Sequence, residues 1–259
     1  MGSPLAIRRE GELLWATLDE PERANALSPA LIAALTELYR RPLLAEGVRA
    51  LVLTAAGRHF SAGADLAHLR ALQGATLDDN REDSRKLRDL FAAVLRQEAL
   101  TVALVQGACI AGGCGLATAH DFVVAAADAR FMYSEVKIGF VAALVATFLP
   151  LRVRGSDLRE LLLFPRLLDA VEARALGLAN RVVPRDDVEQ AGLALVRDVL
   201  ANASSQSIAR TKRLLLDVVG RPLDQALDLA AEANAQARAT ADCQRGIAHF
   251  LEHKQAPGW

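Results

Sequence analysis

Apolar and polar positions along this chain of 259 residues keep two different rhythms. Short runs rich in β-formers predict strands at residues 12–19 (ELLWATLD), 49–54 (RALVLT), 101–107 (TVALVQG) and 121–126 (DFVVAA), with a short strand or edge at FMYSEV from residue 131. Between them the apolar spacing is helical. Ser28-Pro29 opens a helix, with serine as N-cap and proline at the first helical position, and Pro42 kinks or ends it. Residues 70–80 are polar and contain glycine, which predicts a mobile loop. Residues 81–98 form an amphipathic helix whose stripe is Leu87, Leu90, Phe91, Val94 and Leu95.

From residue 143 the pattern is mainly helical, punctuated by Gly155, Pro165 and Gly177, with a brief strand at 181–184 (RVVP). Helices are expected over 186–201, 204–219 and 222–253, the last open to a break. Strands alternating with helices in the first two-thirds define an α/β core. The helical last quarter has too few apolar residues per turn to stand alone, so it packs on the core or on another subunit.

Residues 99–119 (ALTVALVQGACIAGGCGLATA) carry no charge and approach the length of a membrane span. Four glycines, a glutamine and two threonines interrupt them, and flanking basic anchors are absent, so they read as a buried strand, a glycine turn and a buried helix. The N-terminus has no apolar run ahead of a small-residue cleavage site, so no signal peptide is expected.

Composition narrows the function. The chain is 52% hydrophobic and 24% charged, enough for a sizeable core. Thirty basic residues against thirty-one acidic ones leave a formal charge of -1, which argues against nucleic acid or an anionic membrane as the main partner. Cys109, Cys114 and Cys243 form no CxxC pair, so a disulfide framework or zinc site is not expected. A reducing, cytoplasmic compartment fits.

Familiar catalytic signals are missing. There is no GxxxxGK[ST], GxGxxG or HExxH, and His59, His68, His120, His249 and His253 show no metal-ligand spacing. HFSAG at 59–63 misses the GxSxG elbow because His59 stands where a small residue is needed.

Three segments remain. HFSAGADL (59–66) follows a strand, and its small residues let a ligand approach the backbone; a helix beginning here would offer unpaired N–H groups to an oxyanion. GACIAGGCGL (107–116) repeats that logic. Each also reads as an ordinary strand-to-helix turn or a close helix packing. In FMYSEVKIGF (131–140), Glu135 lies among apolar residues. Burial there raises a carboxyl pKa and suits acid–base work; the alternative is a surface glutamate paired with Lys137.

Together these segments resemble the crotonase, or enoyl-CoA hydratase/isomerase, family. The resemblance is carried by PERANALS (21–28), HFSAGADL (59–66), GACIAGGCGLATAHDFVVAA (107–126), FMYSEVKIG (131–139), ALGLANRVVP (175–184) and GIAHFLEHKQAPGW (246–259), in the family's order over nearly the whole chain. It implies a spiral of ββα units over residues 1–195 for acyl-CoA binding and catalysis. It also implies a C-terminal helical oligomerisation region over 196–259, and a homotrimer or dimer of trimers. No cofactor is implied, since coenzyme A enters as part of the thioester substrate.

The resemblance further implies that the N–H groups of Ala64 and Gly112 hold the thioester oxygen. The coenzyme A adenine would lie along the loop of Ala62, Asp65 and Leu66, with Arg23, near Ala24 and Ala26, at its phosphates, and with Phe250 and Lys254 reaching it from the C-terminal helix. Hydratases of the family use two glutamates. Here the first position is Gly115 and the second is retained as Glu135. The position that is acidic in some dienoyl isomerases is Ala143, and Val141-Ala142-Ala143 replaces a common Pro-Gly turn. The site thus resembles one-glutamate members. The expected activity is hydration of an enoyl-CoA, of branched or glutaconyl type; the alternatives are a Δ3,Δ2-enoyl-CoA isomerase or a non-catalytic acyl-CoA binder.

Overall fold

A computed structural model describes residues 3–259. The chain opens with a hairpin of β1 (Leu5–Glu10) and β2 (Leu13–Leu18), followed by α1 (Pro29–Arg40), β3 (Ala50–Ala55), α2 (Leu66–Ala71) and α3 (Leu77–Arg96). Next come β4 (Leu100–Val105), β5 (Ala108–Ile110), α4 (Gly112–Thr118), β6 (Phe122–Ala126) and β7 (Arg130–Met132). The remainder is α5 (Val145–Phe148), α6 (Gly155–Leu163), β8 (Leu168–Asp169), α7 (Ala170–Ala175), β9 (Arg181–Val183), α8 (Val188–Asn202), α9 (Ser205–Asp217), α10 (Leu223–Arg238) and α11 (Ala241–His253).

A six-stranded sheet runs β1-β2-β3-β4-β6-β9, parallel except for β1, and a three-stranded sheet runs β5-β7-β8. This is an α/β architecture of ββα repeats with C-terminal helices, as the resemblance implies. β4 is buried along its whole length because it is covered on both faces, as parallel strands are. Its alternate residues feed two layers. Ala103 and Val105 join the core with Leu31, Leu35 and Phe91, while Val102 and Leu104 join Trp15, Val196 and Leu200 on the opposite face.

Topology decides where loops meet. β2, β3 and β4 are consecutive parallel neighbours in register (Leu18 beside Ala55, Leu53 beside Ala103), so residues 19–28, 56–65 and 106–112 all leave the carboxyl end of one sheet. Ligand sites of open parallel sheets lie at that end.

Several expectations are met at the level of single caps. Ser28 Oγ accepts from Leu31 N at 3.2 Å, with Pro29 at the first position of α1. α1 ends at Arg40, before Pro42. Residues 99–119 fold as β4, β5 and α4, and among the described residues no helix is long and apolar enough to cross a membrane. The long C-terminal helix breaks at Thr240, which caps α11 by accepting from Cys243 N.

Other expectations need correction. Residues 70–80 are not a loop throughout. α2 extends to Ala71, and α3 starts at Leu77 behind a capping box in which Thr76 and Asp79 satisfy each other's N–H groups. β1 is an additional strand, antiparallel to β2. FMYSEV is a strand only to Met132, and Glu135 opens a 3-10 turn running to Ile138.

The last helices are tied to the core by buried polar contacts. Lys212 on α9 pairs with Asp121 and donates to Ala99 O, both at 2.7 Å. Arg49 donates to Ser205 Oγ and to Leu200 O.

Candidate active site

The 19–28 loop is held by Asn25. Its Oδ1 accepts from Glu20 N at 2.9 Å, and its Nδ2 donates to Ala56 O at 3.0 Å and His59 O at 2.9 Å. Asn25 is buried with φ of 50°, a left-handed conformation that asparagine adopts more readily than most residues. Ala62 N donates to Ala24 O at 2.9 Å and Leu27 N to Gly63 O at 2.7 Å, so the first loop lies against the second. Arg23 pairs with Asp65, whose other oxygen caps α2 by accepting from Ala67 N. Ala26 is buried beneath this cluster, and Leu66 projects from α2 with 78% of its surface exposed.

The second and third loops are joined as directly. Ser61 N donates to Ala108 O at 3.1 Å and Ile110 N to Ser61 O at 3.0 Å. Gly63 has φ of 86°, and a Cβ there would lie 2.6 Å from Ile110 O and 3.4 Å from Gly112 N. Gly63 therefore needs hydrogen at this position for two reasons, its backbone angle and its contact. A Cβ on Gly113 would lie 2.7 Å from Ser61 Cβ. The turns preceding Ala64 and Gly112 are thus in van der Waals contact.

Gly112 is the first residue of α4, so its N–H has no partner four residues earlier. Ala64 precedes the Asp65 cap of α2, so its N–H projects from the loop rather than from a helix end as the sequence had implied. Among the described residues neither N–H donates to another group. Ala111, before α4, is held at φ 48° and ψ -121°, a costly conformation for a residue with a side chain. Ala111 N donates to Met132 O at 2.7 Å, which fastens α4 to β7 and so to the segment carrying Glu135.

Glu135 is half-buried, and among the described residues its Oε2 has no hydrogen-bond partner. Burial raises its pKa above the ordinary carboxylate value, and bonds from its own and the Ser134 backbone N–H oppose the rise. Lys137 does not pair with it; that ammonium lies 3.8 Å from Met132 Sδ. At Gly115 a Cβ would meet Val145 Cγ2 at 2.8 Å and the Phe91 ring at 3.1 Å, so apolar side chains fill the space beside α4. Phe250 stands on α11, which packs against α9 and α10, and Lys254 caps that helix; among the described residues no hydrogen bond or ion pair joins them to this cluster. No grouping of three or more His, Cys, Asp or Glu side chains suited to a metal ion occurs among the described residues.

Sequence reasoning singled out Ala24 and Ala26 but passed over Asn25 between them. It also missed Gln106, whose side chain donates to Ala55 O, and His59, whose Nδ1 accepts from Ala108 N at 3.0 Å.

Comparison with known proteins places this fold and its paired turns in one family. The chain matches the family described as enoyl-CoA hydratase/isomerase over residues 8–259. A Thermus thermophilus protein provisionally named an enoyl-CoA hydratase is 44% identical over 249 residues, covering 95% of this chain and 96% of that protein. The cyclohexa-1,5-dienecarbonyl-CoA hydratase of Thauera aromatica is 31% identical over 98% of this chain and 96% of its own. The crystal structure of an enoyl-CoA hydratase from Mycobacterium smegmatis superposes with a TM-score of 0.89 at 30% identity, covering 98% of each chain. The protein belongs to the enoyl-CoA hydratase/isomerase, or crotonase, family. It is an enzyme of that family; the family implies an acyl-CoA substrate, and its hydratases need no cofactor.

Proposed function

We propose that this enzyme adds water across the C2–C3 double bond of an enoyl-CoA, of branched or glutaconyl type, using Glu135 as its single carboxylate. The observation that carries the reading is Glu135 itself, a half-buried carboxyl with an unpartnered oxygen and a raised pKa. Such a group exchanges its proton at a higher pH than an ordinary carboxylate, as acid–base work requires.

In this mechanism the Ala64 and Gly112 N–H groups receive the thioester oxygen. The Glu135 carboxylate takes a proton from water as the water oxygen bonds to C3. The C2–C3 π electrons shift toward the thioester, leaving an enolate whose negative oxygen faces the two N–H groups. The Glu135 carboxyl then returns its proton to C2, and the net change is one water added. Each fixed donor of this kind contributes roughly 3 kcal/mol to the transition state.

Coenzyme A is assigned to the cluster of Arg23, Ala24, Ala26, Ala62, Asp65 and Leu66, whose backbone and ion-pair contacts form one continuous edge. Phe250 and Lys254 would contribute from another copy in a homotrimer or dimer of trimers. The proposed division is a catalytic core over 1–195 and an oligomerisation region over 196–259. Exposed Leu215, Val219, Leu223, Leu227, Phe250 and Leu251 on α9–α11 support that role, and three free cysteines support a cytoplasmic setting.

The test is Glu135→Gln, which keeps shape and removes the base. Crotonyl-CoA or methylglutaconyl-CoA hydration should fall by about 10² to 10⁴; undiminished turnover refutes the assignment. The packing of Phe91 and Val145 at Gly115 also favours a second one-carboxylate reading, in which Glu135 moves a proton between C2 and C4. Incubating a 3-enoyl-CoA and a 2-enoyl-CoA in deuterated water separates the two. A 3-hydroxy product marks hydration, and double-bond migration without added water marks isomerisation.

A further inference from the structure

Arg152, in the turn between α5 and α6, is half-buried, yet among the described residues it makes no ion pair. A cation drawn out of water needs a counter-charge or several acceptors. Asp121, whose field reaches Arg152, pairs instead with Lys212 at 2.7 Å. The guanidinium is met by the oxygens of neutral groups. Nη1 donates to Thr118 O at 3.2 Å and to His120 O, Nη2 to Asn180 Oδ1 at 3.0 Å, and Nε to Gly177 O at 3.4 Å.

Two of these oxygens belong to the carboxyl end of α4. The last four carbonyls of a helix have no partner within it. Here Gly115 O accepts from Ala119 N, Leu116 O faces His120 Nδ1, Ala117 O accepts from His120 N, and Thr118 O takes Arg152. Arg152 is thus a full positive charge at one end of the helix whose first N–H, at the other end, is that of Gly112. It cancels the negative pole of α4, so the field at the Gly112 end is more positive. A carboxylate partner would annul that charge at long range; carbonyl and amide oxygens leave it in force. Gly113–Thr118 are all buried, so little water lies along the helix to screen it.

We infer that Arg152 is a positioning residue for the oxyanion site: it fixes the carboxyl end of α4 and supplies, through that helix, part of the positive field that meets a thioester enolate at Gly112 and Ala64. The inference rests on the proposed placement of the thioester oxygen at those two N–H groups. α4 has seven residues, so the guanidinium stands about 16 Å from that oxygen. At an effective dielectric of about 20, a unit charge at about that distance changes the enolate equilibrium about fivefold.

The probe is acetoacetyl-CoA, which loses a C2 proton to solvent to give an enolate seen by its ultraviolet absorbance. Its enolate fraction is measured on the full-length enzyme, and binding of butyryl-CoA, a neutral thioester, is measured in parallel by calorimetry. The wild type should enrich the enolate over free acetoacetyl-CoA. Arg152→Met should lower that enrichment about fivefold with butyryl-CoA binding unchanged, and Arg152→Lys, which keeps the charge, should retain it within about twofold. Asn180→Asp covers the case in which Arg152→Met fails to fold. Asn180 uses only Oδ1, which accepts from Val123 N and Arg152, so aspartate keeps both bonds and adds an opposing charge. It should lower the enrichment about twofold, less than removal of the cation because position 180 is exposed. Unchanged enrichment in Arg152→Met, or in Asn180→Asp where the first does not fold, overturns the inference. So does an equal loss of enolate and butyryl-CoA binding, which marks a merely structural arginine. No enrichment by the wild type refutes the oxyanion placement itself and this inference with it. An intact enolate response without crotonyl-CoA hydration supports the inference and refutes the hydratase reading alone.

Discussion

The Cβ position of Gly115 and the Cγ2 atom of Val145 cannot both be occupied as the chain now packs, because they would stand 2.8 Å apart. A methyl group at 115 must displace Val145 or the Phe91 ring. Gly115→Ala should therefore cost about 1–3 kcal/mol in denaturant unfolding. Val145→Ala in the same chain should recover part of that loss, a non-additivity read from a double-mutant cycle. Gly115→Glu alone should unfold the region around α4 rather than restore a second catalytic carboxylate.

The pH dependence of turnover follows from the raised pKa of Glu135. As a base it works ionised, so kcat/KM should fall as the pH drops through that pKa, at a pH above the usual carboxylate range of about 4.3. The stability effect has the opposite sign. The folded state binds this proton more tightly than the unfolded state, so the contribution is full below the unfolded pKa and is lost as pH rises through the folded one. Glu135→Gln should thus melt no lower than the wild type at pH 7, and any advantage should vanish near pH 4. Melting curves at both pH values check this.

Asn25→Ala removes three part-buried hydrogen bonds and puts alanine at φ 50°. The Ala56 and His59 carbonyls lose their asparagine donor. A loss of about 3 kcal/mol is expected by denaturant unfolding. In the active reading, kcat should also drop, because this side chain anchors the loop that Ala62 and Ser61 lean on.

His120 predicts how the fold responds to acid. Its ring is buried between the Tyr39 hydroxyl and Leu116 O, and burial, with Lys212 and Arg152 nearby, lowers its pKa to about 3. Since the folded pKa is depressed below 6.5, stability is full above that pH and falls as the pH drops toward 3. His120→Gln should flatten the pH dependence of unfolding over that window, even if it lowers stability at pH 7.

What the letters revealed depends on where the determining contacts lie. Glu135 stood out because one acid sits in an apolar run, a purely local contrast. Ser28-Pro29 is likewise a cap that needs only its neighbours. β1 was invisible because it is an edge strand with Leu5 alone buried, so LAIRRE carries no alternation. The start of α3 hides in polar residues, where Thr76 and Asp79 satisfy each other rather than mark an apolar stripe. Asn25 reaches carbonyls 31 and 34 residues away, and nothing local announces them.

The contact between the two glycine turns has a historical consequence. A methyl group on Gly63 strikes the backbone at Ile110, and one on Gly113 strikes Ser61, so each turn is moulded by the other. Neither can drift on its own. A lineage that reshaped one of these loops would have to change its counterpart in step.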